Sequence, residues 1–453
     1  MPLIRSERRL NLFNLQPVQI LAIGFATVIL MGAILLKLPI ATRQGISTPF
    51  LDCLFTATSA VCVTGLAVVD TGTYWSTFGQ IVIMLLIQIG GLGFMTFASF
   101  FAVLLGKKIS LKERLVMQEA YNSFNIQGMV KLMFYVIGIT FSIEGVGAVL
   151  LATQFIPEYG LKKGIYYSIF HAVSAFCNAG FDLIGDFRSL TPYVDNTVIT
   201  LTIGGLIVVG GLGFIVITEL INTRTLKRLT LHTKVVLLTT GFLILAGTIL
   251  FFIFEYNNPK TMGGLGLKGK ILASLFASIT PRTAGFNTIP LDTMTNSGKF
   301  LTIILMFIGA SPGSTGGGIK TTTAMLIFLT VIAVIHGRED TELFKKRFGK
   351  NLVYKAFSIV TISMTLITAV VMILSVTEAA TPIEIVYEAV SAFGTVGLTL
   401  GLTTRLTTIG KIIIVFTMYI GRVGPLTFAL AIAHRQLNAK NSIRYPEDKI
   451  IVG

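Results

Sequence analysis

The sequence predicts an all-α polytopic membrane protein written as four similar units, and three observations carry that prediction. Apolar residues make up 53% of the chain, charged residues only 13%, and the mean hydropathy is +0.80. Such values lie far from those of soluble domains. Apolar runs long enough to cross about 30 Å of hydrocarbon recur along the chain. Four short segments end in the same glycine at near-equal intervals: Val61-Cys62-Val63-Thr64-Gly65, Phe176-Cys177-Asn178-Ala179-Gly180, Pro281-Arg282-Thr283-Ala284-Gly285 and Phe393-Gly394-Thr395-Val396-Gly397. These glycines are 115, 105 and 112 residues apart. Eight positions upstream of each stands an alanine, Ala57, Ala172, Ala277 and Ala389. Six positions upstream, Ser59, Ser174 and Ser391 match while Ile279 breaks the pattern. A chain that writes one unit four times can place four copies of a segment around one axis.

Taken in order, eight spanning runs fall near residues 17–38, 77–105, 129–153, 197–221, 234–256, 298–333, 352–376 and 408–432. The first follows Arg5, Arg8 and Arg9 and is too long for a signal core, so no cleaved leader is expected. Within each pair of spans lies a shorter apolar segment, near 48–61, 163–176, 267–280 and 381–393. These are too short to cross and must dip in and return. Two open with Thr48-Pro49 and Thr381-Pro382, where threonine can cap and proline suits the first turn. Each unit reads as a membrane-pore-membrane repeat: spanning helix, pore half-helix, glycine word, second spanning helix. Eight spanning helices and four half-helices then surround a pseudo-fourfold pore, with repeats at 1–106, 107–222, 223–336 and 337–453, the last including a C-terminal tail.

The glycine words carry the chemistry. Half-helices that enter from the outer face direct their C-terminal partial negative charge at the membrane centre, where it favours a cation. Non-helical backbone is tolerated at that depth only where protein or a water path surrounds it. Glycine permits the return turn and lets carbonyls replace an ion's water shell. The candidate filter is Val63, Thr64, Gly65, Asn178, Ala179, Gly180, Thr283, Ala284, Gly285, Thr395, Val396 and Gly397. The cation would be held at Thr64, Gly65, Asn178, Ala179, Thr283, Ala284, Thr395 and Val396. Any one of these glycines alone would read as a helix-packing residue; four in register do not. The glycines of Gly90-Gly91-Leu92-Gly93 and Gly210-Gly211-Leu212-Gly213, with Gly309 and Gly421, fit helix packing or a hinge.

The net charge of +15 does not indicate nucleic acid. Of the 36 Lys and Arg, 22 lie at the two termini and in the connections 106–128, 222–233 and 334–351 with the adjoining helix ends. With eight spans these share one side, so the positive-inside rule places both termini in the cytosol of a multi-pass cell-membrane protein. Asp52, Asp70, Asp182, Asp186, Asp195, Asp292, Glu384 and Glu388 fall on the other side, where a carboxylate raises local cation concentration or merely solvates a rim. Cys53, Cys62 and Cys177 read as small apolar residues rather than a disulfide framework.

The sixth span is interrupted by Gly309-Ala310-Ser311-Pro312-Gly313-Ser314-Thr315-Gly316-Gly317-Gly318-Ile319-Lys320, which cannot hold an ordinary helix. Residues 313–321 resemble a glycine-rich nucleotide loop, but Ile319 precedes Lys320 and no strand leads in, so the context is missing. An irregular loop here would constrict a fourfold path from below. Lys320 ends it, and Arg422 lies inside the eighth span; an intramembrane charge suggests function. Arg422 could hold loop carbonyls with its fork of donors, and Lys320 could snorkel to the cytosolic face. Glu144, in the third span, has no evident partner.

Four membrane-pore-membrane units, one glycine word in each and a Gly/Ser-rich break in the third resemble the superfamily of Trk, Ktr and plant HKT potassium transporters. The resemblance spans about residue 17 to the C-terminus and is strongest to Ktr-type membrane subunits. It implies potassium as the transported ion, sodium as a candidate activator, and no enzymatic role. It places the filter on Gly65, Gly180, Gly285 and Gly397, the gate on residues 311–320 and a gate-contacting arginine on Arg422. Plant relatives that favour sodium carry serine where this chain has Gly65. Ile279, Pro281 and Arg282 depart from the pattern, so fourfold symmetry is expected to be weakest in repeat three. The resemblance also implies a homodimer in the lipid bilayer, docked on a cytosolic nucleotide-binding regulatory ring. The rival reading is a secondary transporter of an organic solute, which usually shows inverted or twofold repeats. A membrane enzyme ranks third, because His171, His232, His336 and His434 show no metal-ligand spacing.

Overall fold

The computed structural model describes residues 16–121, 128–223 and 225–432. Arg5, Arg8 and Arg9, Arg224, His434 and the tail from 433, with both termini, lie outside the described residues. Seventeen helices make up almost all of the described chain, joined by one two-stranded hairpin.

Among the described residues, four helices are long and apolar enough to cross a membrane, or up to six if each bent pair counts as one span: the four are α1 (Pro17–Lys37), α6 (Met129–Tyr159), α10 (Leu231–Glu255) and α14 (Lys350–Thr377). The first of these stops where Pro39 denies Leu38 a helical backbone, leaving its ψ at 138°. Each long helix is followed by a short one. These are α2 (Phe50–Val61), α7 (Leu161–Phe176), α11 (Leu267–Ile279) and α15 (Pro382–Gly394), all within two residues of the expected half-helices. Thr381 stands before α15 as predicted and Glu384 accepts its backbone N–H at 2.8 Å, but Thr48 does not cap α2. Pro49 takes that place, and the Thr48 hydroxyl pairs with that of Tyr74, 2.9 Å away.

The second helix of each unit begins at a polar cap. Ser76, Asn196, Thr295 and Thr407 open α3 (Thr77–Leu92), α8 (Thr197–Leu212), α12 (Asn296–Phe307) and α16 (Thr408–Val423), each accepting a first-turn N–H. Carboxylates at the ends of two long helices brace these caps. Glu255 accepts the N–H and hydroxyl of Thr295, and Glu378 those of Thr407, at 2.6–2.9 Å.

The expected continuous spans 77–105, 197–221 and 408–432 are broken. Glycines at φ +82°, +96° and +96°, Gly93, Gly213 and Gly424, separate them from α4 (Phe94–Leu104), α9 (Phe214–Asn222) and α17 (Pro425–Ile432). The first two breaks bend the chain by 94° and 98°. A left-handed backbone is readily available to glycine and ends the i→i−4 ladder there. The expected span 298–333 is interrupted by the loop 308–320 between α12 and α13 (Thr321–Ile335). Gly93 and Gly213 are therefore bends, while Gly90, Gly210 and Gly421 are packing residues. A Cβ on any of them would overlap the carbonyl of Val61, Phe176 or Phe393 at the end of the adjoining short helix. The remaining elements are α5 (Leu111–Ala120) and the strands β1 (Glu342–Leu343) and β2 (Lys346–Arg347) of the hairpin between α13 and α14.

Candidate functional site

The four short helices end at buried turns of one conformation. Two residues before each glycine, a side-chain-bearing residue is left-handed: Val63 (φ 58°), Asn178 (59°), Thr283 (73°) and Thr395 (49°). The glycines follow at 94°, 69°, 81° and 88°. Left-handed backbone is costly for residues with a Cβ and is kept only where the surroundings impose it. Repeat three matches the other three in the sign of these angles, while the weaker symmetry expected from Ile279, Pro281 and Arg282 shows in its hydrogen bonding: the Ala284 N–H reaches Thr280, one residue short of the register of the other three. The Arg282 side chain leads sideways to α10, donating to the Thr240 hydroxyl at 3.2 Å.

The turns close into a ring. Space at Gly65 is bounded by the Ala179 carbonyl oxygen, at Gly180 by that of Ala284, at Gly285 by that of Val396 and at Gly397 by that of Thr64. Each repeat thus sets the carbonyl before its own glycine against the glycine of a neighbour, and the fourth returns to the first. A methyl group on Gly65 would lie 2.6 Å from the Ala179 oxygen, and one on Gly397 would overlap Thr64. Backbone oxygens crowd one axis at the negative ends of four helices, an arrangement that attracts a cation.

Above the ring lies a cavity of about 500 Å³ lined by all four glycines and by Asp70, Asp182 and Asp292. Burial, then the charge of Asp70, raises the carboxyl of Asp182 to about 7. Asp70 itself accepts N–H bonds from Thr73 (2.7 Å) and Phe187 (2.8 Å), tying two loops over the cavity. Three other predicted rim carboxylates are engaged in ion pairs. Asp52 pairs with Lys411 at 2.7 Å, Glu384 with Arg405 at 2.9 Å and Asp186 with Arg188 at 3.5 Å. Glu388 is not a rim group: it is buried on α15, accepting from the Thr399 and Thr403 hydroxyls.

Below the ring runs the loop 308–320. Ile308 and Ile319 bridge its two ends, and the Gly309 N–H donates to the Ile319 carbonyl at 2.8 Å. Gly316 and Gly317 press against the side chains of Thr283 and Thr395, and the Thr395 hydroxyl accepts the Gly317 N–H at 3.1 Å. Thr315 donates to the carbonyls of Phe176 (3.2 Å) and Gly210 (3.1 Å). The Ser311 N–H donates to the Gly211 carbonyl at 3.0 Å, its hydroxyl pairs with that of Thr321 at 3.0 Å, and the Ser314 hydroxyl donates to the Ser311 carbonyl at 2.6 Å. Gly313 accepts the Phe214 N–H at 2.9 Å, while Pro312 and Gly318 complete the crossing. Arg422 extends its fork to the Thr315 carbonyl and to those of Gly90 (2.5 Å) and Gly91 (3.1 Å). Lys320 does not snorkel; its Nζ turns back to the Gly316 carbonyl at 2.7 Å. A second cavity, of about 220 Å³, opens on the far side between Lys320, Arg422, Tyr121 and Lys355.

This geometry coincides with a family. The profile of the TrkH cation transport proteins matches residues 17–442. The chain belongs to the TrkH family. It is 44% identical to a Ktr system potassium uptake protein B of Bacillus subtilis over 99% of this chain and 100% of that one. It is 44% identical to the potassium/sodium uptake protein NtpJ of Enterococcus hirae, covering 97% and 98%. A Ktr system potassium uptake protein B of Vibrio alginolyticus is 38% identical over 96% and 94%. The crystal structure of the potassium transporter TrkH from Vibrio parahaemolyticus shares the fold, with a TM-score of 0.72 at 16% identity over 94% and 86% of the two chains.

Two features of this TrkH-family site escape the sequence. Glu144 is partnered: the Gln88 amide donates to both its oxygens at 3.1 and 3.2 Å, and the Cys177 thiol lies 3.8 Å away, directly before Asn178. A glutamine inside an apolar span was the available signal. Thr280 replaces the serine missing at position 279, its signal being a hydroxyl one residue late.

Proposed function

We propose that this chain is the potassium-translocating subunit of a Ktr-type uptake system, four membrane-pore-membrane repeats surrounding one ion path. The observation that carries the proposal is the closed ring of Thr64, Ala179, Ala284 and Val396 carbonyls against Gly397, Gly65, Gly180 and Gly285. A dehydrated cation finds there the oxygens that replace its water, with four helix ends adding negative potential. The names of relatives that take up potassium, and in one case sodium as well, support the ion class. Sodium as an activator belongs to the same reading. The relatives named above are ion-uptake proteins, which weighs against an organic-solute transporter.

The loop 311–318, with Lys320 and Arg422, is the gate in this reading. It lies against the ring and sets two cations on a cation's path, so it opposes conduction until displaced. The basic connections face the cytosol and Asp70, Asp182 and Asp292 face outward, where they raise local potassium. Among the described residues, the connecting segments 105–121 and 336–349 are too small for a sensor domain. We assign sensing to a cytosolic nucleotide-binding ring on which a dimer of the subunit docks.

Rubidium uptake into liposomes holding the purified protein, with potassium or sodium as competitor, tests the ring. Gly65→Ser and Gly397→Ser push a side chain onto the neighbouring carbonyl and should lower potassium preference at least tenfold while the protein still assembles. Unchanged preference at both positions refutes the filter.

A further inference from the structure

Every repeat ties its glycine turn to its short helix by one buried hydroxyl, and the tie takes two forms. In repeats one and four, Ser59 Oγ and Ser391 Oγ accept the N–H of Gly65 and Gly397 at 3.0 and 3.1 Å. In repeat two, Ser174 Oγ donates to the carbonyl of Phe181, the residue after Gly180, at 2.7 Å. Repeat three has Ile279 where the others have serine, yet Thr280 Oγ1 donates to the carbonyl of Phe286, the residue after Gly285, at 2.5 Å. The backbone register shifts with it. The N–H groups of Thr64, Ala179 and Val396 reach the carbonyls of Ser59, Ser174 and Ser391, whereas that of Ala284 reaches Thr280. All four hydroxyl-bearing residues are buried.

We propose that Ser59, Ser174, Thr280 and Ser391 are positioning residues that set cation discrimination, with Thr280 standing in for the serine that repeat three lacks. The proposal rests on the reading of the glycine ring as the filter. The peptide bond is planar, so the N–H of Gly65 and the carbonyl of Thr64 belong to one rigid plate and point in opposite directions. Ser59 grips that plate from behind and thereby aims the Thr64 oxygen at the axis; Ser391 does the same for Val396. The hydroxyls of Ser174 and Thr280 grip a plate further along, turning the Phe181 and Phe286 oxygens away from the axis. They restrain the ring oxygens of Ala179 and Ala284 only through the intervening Gly180–Phe181 and Gly285–Phe286 backbone. The two forms therefore predict two sizes of effect. Loss of Ser59 or Ser391 also leaves a buried N–H without its acceptor, which costs more than loss of a donor to a carbonyl with a second lone pair.

The test is competition of sodium against potassium for rubidium uptake by the full chain in liposomes. Ser59→Ala and Ser391→Ala should each lower potassium preference roughly tenfold, Ser174→Ala and Thr280→Val roughly two- to threefold. Ser59→Thr and Thr280→Ser, which keep the hydroxyl, should restore it. If the alanine variants fail to assemble, Ser59→Cys and Ser391→Cys keep the size with a weaker acceptor and carry the same expectation. A second readout is the melting temperature in potassium against sodium, whose difference should shrink in the same order. Gly397→Ser measured alongside separates the two readings. If it lowers preference while the hydroxyl variants retain it, the positioning role is overturned and the filter stands; if neither set changes preference, the filter falls with it.

Discussion

Arg422→Ala should open the path. The guanidinium bridges two parts of the protein: it holds the Gly90 and Gly91 carbonyls at the end of α3 and the Thr315 carbonyl in the middle of the loop. Only the last of these bonds restrains the loop, and it is a hydrogen bond from a charged donor, contributing about 1.5–3 kcal/mol. Removing it shifts the ratio of displaced to seated loop by roughly 10- to 150-fold, since each 1.4 kcal/mol is a factor of ten. The substitution also takes one cation from below the ring, which acts in the same direction. Where the loop is displaced less than about 0.1% of the time at rest, flux through the isolated subunit rises nearly in proportion. The assay is rubidium uptake into proteoliposomes without any soluble component, normalised to monodisperse protein. Arg422→Lys, which keeps the charge but loses the planar fork, should fall between the two. Flux that stays level or drops in well-assembled Arg422→Ala protein would refute the anchoring argument and leave the arginine a structural tie.

Three further outcomes are expected. Deleting residues 314–317 should raise basal potassium flux above that of Arg422→Ala, because the obstruction itself is gone; a silent, correctly assembled deletion would count against the gate. Asp182 is held near pH 7 by burial and by Asp70, so acid outside neutralises it and alkali ionises it. Uptake at subsaturating potassium should therefore fall as external pH drops from about 8 to 6. Asp182→Asn should flatten the profile at its acid level, and Asp70→Asn should move the midpoint downward. Low-salt pull-down from native membranes should recover a nucleotide-binding protein whose addition to liposomes makes flux nucleotide-dependent; full regulation of the subunit alone would exclude the ring.

The half-helices were legible because the residues that end them are chemically distinctive. Glycine words mark the C-terminal ends of α2, α7, α11 and α15, and Thr381-Pro382 marks the start of α15, so each boundary falls within two residues. The broken second spans were not legible. Gly90 and Gly93 look alike in sequence, yet one gives Val61 room and the other turns at φ +82°; only the tertiary path tells them apart. Glu144 found its partner across 56 residues, and the Glu388 carboxylate bonds inward to Thr399 and Thr403 although its position along the chain suggested a rim. Contacts of that range depend on how helices pack and leave no local periodicity.

Repeat three shows how an approximate fourfold site tolerates an irregular sequence. Its side-chain departures lie behind and beside the turn: the missing serine at 279 is offset by Thr280, and Arg282 reaches Thr240 on α10, while the Ala284 N–H bonds one residue out of register. The backbone at Thr283 and Gly285 keeps φ values of 73° and 81°, beside 49–59° and 69–94° in the other repeats. The same repeat carries the loop that lies beneath the ring, where Gly316 meets the Thr283 side chain. A ring of similar turns needs its carbonyls to be held alike, which the residues behind it do by different hydrogen bonds in different repeats. On the proposed function, four equivalent carbonyl turns would coordinate the ion while a single repeat supplies the obstruction, and displacing that one segment would then be enough to open the path.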